Sequence, residues 1–230
     1  MRKGTYYEGA AAAAQPKKIL ILGESHHGDK PEDVGKPVEE GDTERVVRVY
    51  LSQEGKRDAR LQFFDKIAQC FGIDSEKNEE RRQFWEKVFF ANYVDVLCGV
   101  GDGDDAAETK VREHGKEYAK KVAELVDTYR IDVIFCFSIL SYWSLWAHFV
   151  SGSCREGVFP DGQGSFLNQK VVGRRSGRNV YLRGYICQPM PGLFDRPVTI
   201  YGIPHPSGRN GFDPEHFVKD LKPVFEDRCG

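Results

Sequence analysis

The chain has 230 residues, 40% hydrophobic and 30% charged, with a formal net charge of −2. That describes an ordinary folded domain with enough length for a core, and a net-acidic chain is not a basic nucleic-acid binder as a whole, so any such role must rest on a local patch. No apolar run approaches the roughly 20 residues of a membrane helix. Ala10–Ala14 is too short for a signal-peptide core. The six cysteines, at 70, 98, 136, 154, 187 and 229, include no CxxC pair, and Cys136 and Cys187 fall in apolar strand-like runs as buried thiols. A reduced, cytoplasmic protein that does not engage a membrane is expected.

Residues 1–17 read as an N-terminal arm or edge segment, and 18–230 as one domain. Ile19–Leu22 is an apolar run without helical spacing, stopped by Gly23, which predicts a buried parallel strand. Glu24, Ser25, His26, His27 and Asp29 follow it. In an open α/β sheet, ligands bind beyond the carboxyl ends of the strands. This loop therefore delivers a carboxylate, a hydroxyl and two imidazoles where such folds keep a site, although a polar turn capping the strand is the competing reading. Residues 23–44 form a long acidic loop that Pro31 and Pro37 keep irregular.

Helices are predicted over Thr43–Leu51, Asp58–Phe71 (ended by Gly72) and Asn78–Lys87, with Phe84 and Trp85 facing inward. Phe89–Leu97 predicts a strand, leading into a loop over Gly99–Asp105. Glu108–Arg130 has the clearest helical spacing. Asp132–Phe137 predicts a strand that runs directly into a helix over Ser138–Val150. The alternation predicts an α/β fold, a three-layer α/β/α domain with a central, mainly parallel sheet. Residues 151–179 are Gly-rich and loop-like. Val180–Cys187 and Val198–Gly202 predict strands joined by a Pro-rich link. Asp213-Pro214 opens a last helix that runs to about Glu226.

Three short motifs stand in order at predicted strand ends: Gly23-Glu24-Ser25 within GESHHG, Asn92 within FFANYV, and His205-Pro206-Ser207 within HPSGRNGF. Together, and with the helix–strand–helix unit between the second and third, they resemble the uracil-DNA glycosylase superfamily over residues 17–226. The chain departs from the family pattern at His26, which replaces a proline, and no aromatic residue lies between 28 and 49. Tyr50, Phe63, Phe64 and Phe90 are the candidates for the ring that stacks on the base. The N-terminal cysteine pair of the iron–sulfur branch is absent. No cofactor is expected.

The resemblance implies a glycosylase of uracil or another modified base in DNA, acting as a monomer by base flipping and water attack. Cleaving an N-glycosidic bond places positive charge on the sugar and negative charge on the departing base. Glu24 would orient or activate the water, and His205 would donate to the base. Asn92, Ser25, His26 and Phe90 would line the base pocket. Each has a structural alternative: Glu24 caps backbone N–H groups, His205 bonds its own loop, Asn92 braces a neighbour. Of the adjacent histidines, one lines the site and the other faces outward. As zinc ligands with Glu24 they lack a third residue at standard spacing. Ser207, Gly208, Arg209 and Asn210 would contact DNA, with Arg209 entering the stack. Phe212 is either a wedge or a staple under the last helix.

From Gly162 to Phe194 no acidic residue occurs, and the basic residues Lys170, Arg174, Arg175, Arg178 and Arg183 there predict a phosphate-contacting face, with a solvated loop as the competing reading. A catalytically inactive base-binding module and a hydrolase of small N-glycosides are the other functions the same residues allow.

Overall fold

The computed structural model describes residues 5–28, 30–54, 61–99, 105–149, 169–206 and 212–229. Ser207, Gly208, Arg209 and Asn210, Asp29, most of the 99–105 loop and residues 151–168 lie outside them. Seven strands form one sheet: β1 (Tyr6–Glu8), β2 (Lys18–Gly23), β3 (Phe89–Asn92), β4 (Ile131–Cys136), β5 (Gln169–Arg175), β6 (Arg178–Cys187) and β7 (Val198–Gly202). Their order is β1-β3-β2-β4-β7-β6-β5. The four central strands are mutually parallel, and both edges are antiparallel. The chain is thus α/β with a mixed sheet that is parallel at its centre.

Six α-helices are described: α1 (Asp42–Ser52), α2 (Gln62–Gln69), α3 (Asn78–Glu86), α4 (Asp105–Tyr129), α5 (Ile139–His148) and α6 (Glu215–Cys229). Alternation along each strand divides the core in two. Leu20, Leu22, Ala91, Ile134, Cys136, Tyr185 and Ile200 pack against α4 and α5. Ile19, Ile21, Phe90, Val133, Phe135, Leu182 and Tyr201 pack against α1, α2, α3 and α6. The central strands are apolar on both faces because helices cover both.

The direction of winding reverses around β2. The crossover from β2 to its neighbour β3 runs through α1–α3 on one face. The crossover from β3 back past β2 to β4 runs through α4 on the other. Helices that follow β2 and β4 therefore diverge to opposite faces, the topology at whose carboxyl ends open α/β sheets bind their ligands.

Residues 1–17, read as an arm or an edge segment, carry the edge strand β1, whose Tyr6, Tyr7 and Glu8 pair with Ala91, Phe90 and Phe89. Three stretches differ from the sequence expectation. The strand from Phe89 stops at Asn92 rather than Leu97. Beyond it, the 23–44 loop is far from irregular. Val94 and Cys98 N–H groups donate to the Glu24 and His26 carbonyls, and Val38 N–H donates to Asp95. Pro37 and Val96 form an antiparallel bridge. These are long-range pairings, which local composition does not reveal. Residues 169–179, expected as loop, instead begin a hairpin. Its two central residues, Ser176 and Gly177, have φ of 45° and 76°, the backbone that a tight two-residue hairpin turn requires.

One ion pair ties that hairpin to the helical layer. Lys170 on β5 donates to Asp220 on α6 at 2.6 Å, and their side chains are only 11% and 8% exposed. Lys170 is thereby withdrawn from the basic surface. Removing one member of a buried pair leaves an uncompensated charge, at about 3–5 kcal/mol, whereas replacing both with apolar groups is often neutral. Asp220→Ala is therefore expected to lower the urea unfolding free energy by about 3 kcal/mol, and Lys170→Met with Asp220→Leu to restore most of it. The exposed Arg45–Asp42 pair is the control, since its loss is expected to cost under about 1 kcal/mol.

Candidate active site

Glu24 follows β2 directly, Asn92 is the last residue of β3, Ser138 follows β4 after one residue, and His205 follows β7 after two. All four strands run parallel, so all four side chains emerge at the same end of the sheet. The main chain beyond the strands is fixed by hydrogen bonds between neighbours: Tyr93 N–H to Gly23, Phe137 N–H to Leu22 and Ile203 N–H to Cys136.

Gly23 and Asn92 are register partners, and they interlock. A Cβ built on Gly23 would stand 2.2 Å from the Asn92 Oδ1 and 3.4 Å from the Phe90 Cζ. The first and second motifs therefore meet by direct backbone-to-amide packing that only glycine permits. Asn92 is 8% exposed.

Glu24 is held from the opposite side. The Ser138 hydroxyl donates to the Glu24 Oε2, and the Ser138 Oγ accepts the Ser141 N–H at 3.1 Å. Ser138 is thus both the N-cap of α5 and the clamp on the carboxylate. A carboxylate beside a helix N-terminus also gains from the helix dipole.

His205 is met by α2. Its ring stacks on Phe63, with centroids 5.2 Å apart and an interplanar angle of 30°. Phe63 in turn stands edge-on to Phe90 at 6.4 Å. Of the four candidate aromatics, Phe63 is the one that is both stacked on His205 and partly exposed. Tyr50, Phe64 and Phe90 are 0%, 5% and 2% exposed, and Tyr50 donates to the buried Asp65 at 2.9 Å. Phe90, expected to line the base pocket, is instead buried, with its ring edge-on to Phe63. Phe63 is half-buried. Lys66, one turn on, donates to the Pro206 carbonyl at 3.0 Å. Neither Phe63 nor Lys66 carries a motif. The apolar face of α2 gave Phe63 as one of several rings, and nothing in the sequence joined α2 to the loop after β7.

Ser25 is half-buried beside Glu24, and the two histidines part as alternation requires: His27 is exposed and His26 turns inward. His26 Nε2 lies 3.4 Å from the Thr43 Oγ1, at the start of α1. Burial pushes its pKa down to about 4, against the opposing pull of Asp42 and Asp95. The imidazole is neutral at physiological pH and serves as a hydrogen-bonding group, not as a cation. Among the described residues no cluster of three or more His, Cys, Asp or Glu could hold a metal ion.

Arg174 and Arg178 are exposed and Arg175 is half-buried, all close to the β5–β6 turn. Arg183 is the register partner of Gly202, so the five residues of β6 before it reach about 16 Å past the carboxyl end of β7. The arginine-bearing tip therefore projects on the same side as Glu24, Asn92 and His205. Phe212 stacks on Phe217 of α6 at 5.4 Å, which is the staple and not a free wedge. The Asp213 carboxylate accepts the Glu215 N–H, capping α6 as expected.

Neither the models of known protein families nor the curated proteins contain a match to this chain. No helix among the described residues is long and apolar enough to cross a membrane.

Two measurements test this geometry. Gly23→Ala forces a Cβ into the Asn92 amide and is expected to destabilise by about 1–3 kcal/mol. Combining it with Asn92→Ala is expected to recover part of that loss, because the clash is with this one side chain. His26 is neutral in the folded chain down to about pH 4 but takes a proton near pH 6.5 when unfolded. The unfolded state thus binds the extra proton in that window. The stability His26 contributes is complete above pH 6.5 and lost as pH falls toward 4, at about 1 kcal/mol per unit. Thermal unfolding of His26→Gln should show a shallower acid limb than the parent; parallel profiles would contradict the assignment.

Proposed function

We propose that the chain is a monofunctional DNA glycosylase that hydrolyses the N-glycosidic bond of uracil or another modified base. The observation that carries the reading is the common position of Glu24, Asn92 and His205 at one end of the parallel sheet, with Phe63 stacked on His205. These are the three residues on which the motif resemblance rests.

In this reading the target nucleotide leaves the helix and its base is received at the carboxyl end of the sheet, beside Glu24, Asn92 and His205. Phe63 offers an aromatic face to the base, and the Asn92 amide reads its edge with both donor and acceptor. Glu24, clamped by Ser138, orients the attacking water and balances the positive charge that grows on the sugar. His205 donates to the base oxygen as negative charge collects there, so its bond strengthens most in the transition state. The arginines at the β5–β6 turn lie beyond the same sheet end, where phosphates would pass. Ser138 acts as a positioning residue, through Glu24.

The test is incubation with oligonucleotides bearing uracil and other altered bases, followed by alkali to cut at abasic sites. Glu24→Gln is expected to reduce turnover by about 10²–10⁴-fold with little change in binding. Ser138→Ala should reproduce part of that fall in kcat with KM unchanged. Borohydride should trap no protein–DNA adduct; an adduct lost in Lys66→Ala would reassign the site to a lysine nucleophile. Binding without excision on every substrate would identify a base-recognition module instead. Release of bases from free nucleosides alone would identify a small-molecule hydrolase.

A further inference from the structure

Among the described residues, the sheet face beside α5 is incompletely covered. Along β6, alternation places Tyr185, Arg183 and Tyr181 on the α5 side. Tyr185 lies under α5, with Trp146 edge-on at 4.9 Å. Trp146 leads outward to Trp143 at 6.3 Å, and Trp143 is 44% exposed. On the neighbouring strand the partner of Tyr181 is Val171, 48% exposed. Arg183 stands over the Tyr181 ring at 5.7 Å, and its Nε is buried without a hydrogen-bond partner. Arg174, the partner of Asn179, is exposed on the same face at the turn. Arg174 and Arg183 have no carboxylate within ion-pair distance among the described residues, and this part of the chain contains no acid between 162 and 194.

An isolated apolar face would not name its occupant. This one interleaves aromatic rings with unpaired guanidinium groups, leads from the face of α5 to the sheet end that holds Glu24 and His205, and is bordered by acid-free sequence. Rings supply stacking surfaces that accept any base, and arginines track the backbone. Such rings take unpaired bases, because in a duplex the faces of the bases are already covered by their stacked neighbours. We propose that the α5–β6 face, from Trp143 through Tyr181 to Arg174, is a track for single-stranded nucleic acid that feeds the candidate site. The proposal rests on the glycosylase reading for its ligand and adds the form in which that ligand arrives.

The test uses the intact protein and a fluorescein-labelled oligothymidylate of about 16 nucleotides, which contains no lesion and so does not depend on catalysis. Anisotropy should show tighter binding to it than to a duplex of equal length, with quenching of tryptophan fluorescence. Trp143→Ala and Tyr181→Ala should each weaken binding by about tenfold, and Trp143→Phe should restore most of the loss. Because Trp143 lies at the surface, its variants are expected to fold. Arg174→Ala should lower the slope of log affinity against log salt by about 0.7. Single-strand affinity unchanged by Trp143→Ala and Tyr181→Ala would overturn the track, as would equal or better binding of the duplex. Excision activity with no oligothymidylate binding would overturn the track and leave the glycosylase reading intact. The expected binding pattern with no excision from any altered base would do the reverse.

Discussion

The register of β2 between β3 and β4 is the constraint on which the candidate site depends. Gly23 pairs with Asn92 and Leu22 with Cys136, so three chain exits lie side by side at one level. A slip of one residue would turn Ile19 and Ile21 to the opposite helical layer and carry Glu24 to the wrong face. The slip is opposed from both directions, because Leu20 and Leu22 are fully buried in one packed cluster and Ile19 and Ile21 in the other. Gly23 adds a local lock: its missing side chain is the space the Asn92 amide fills.

Electrostatic arrangement follows from this frame. At its centre Glu24 meets the first turn of α5 through Ser138, where a negative charge is favoured. At its rim His26 is bridged to Leu97 and stands beside Thr43 of α1, and burial keeps its imidazole neutral. At the far edge Lys170 is neutralised by Asp220, while Arg174 and Arg178 remain exposed on the turn. The acid-free stretch is therefore not uniformly available to a ligand: one of its cations is structural, and the rest lie on or near the β5–β6 hairpin.

The aromatic residues divide in the same manner. Phe64, Trp85 and Phe90 form a mutually edge-on cluster beneath the site and serve the core. Phe63, next to Phe64 in sequence, points from the other side of α2 to His205. One residue along a helix turns the side chain by about 100°, which is the difference between core and site. In the same helical geometry Tyr142 is buried against Gly202 while Trp143 reaches solvent.

Strongly periodic stretches were legible without the structure. The apolar run ending at Gly23, the long amphipathic α4 and the Asp213-Pro214 cap define their elements by local chemistry, and their alternation defines an α/β chain. Glu24, Asn92 and His205 could be singled out because each stands where such a strand ends. Tertiary structure decided the rest. The 23–44 loop is polar and proline-bearing, yet it pairs with residues 94–98 across a long sequence separation. The 169–175 strand is half exposed and lacks the apolar density that marks its neighbours. Phe63 and Ser138 joined the site because α2 packs against the loop after β7 and α5 starts beside Glu24. Local sequence specifies which residues prefer to be buried or extended, but the partner that satisfies each of them lies far along the chain, and only the packed sheet brings the two together.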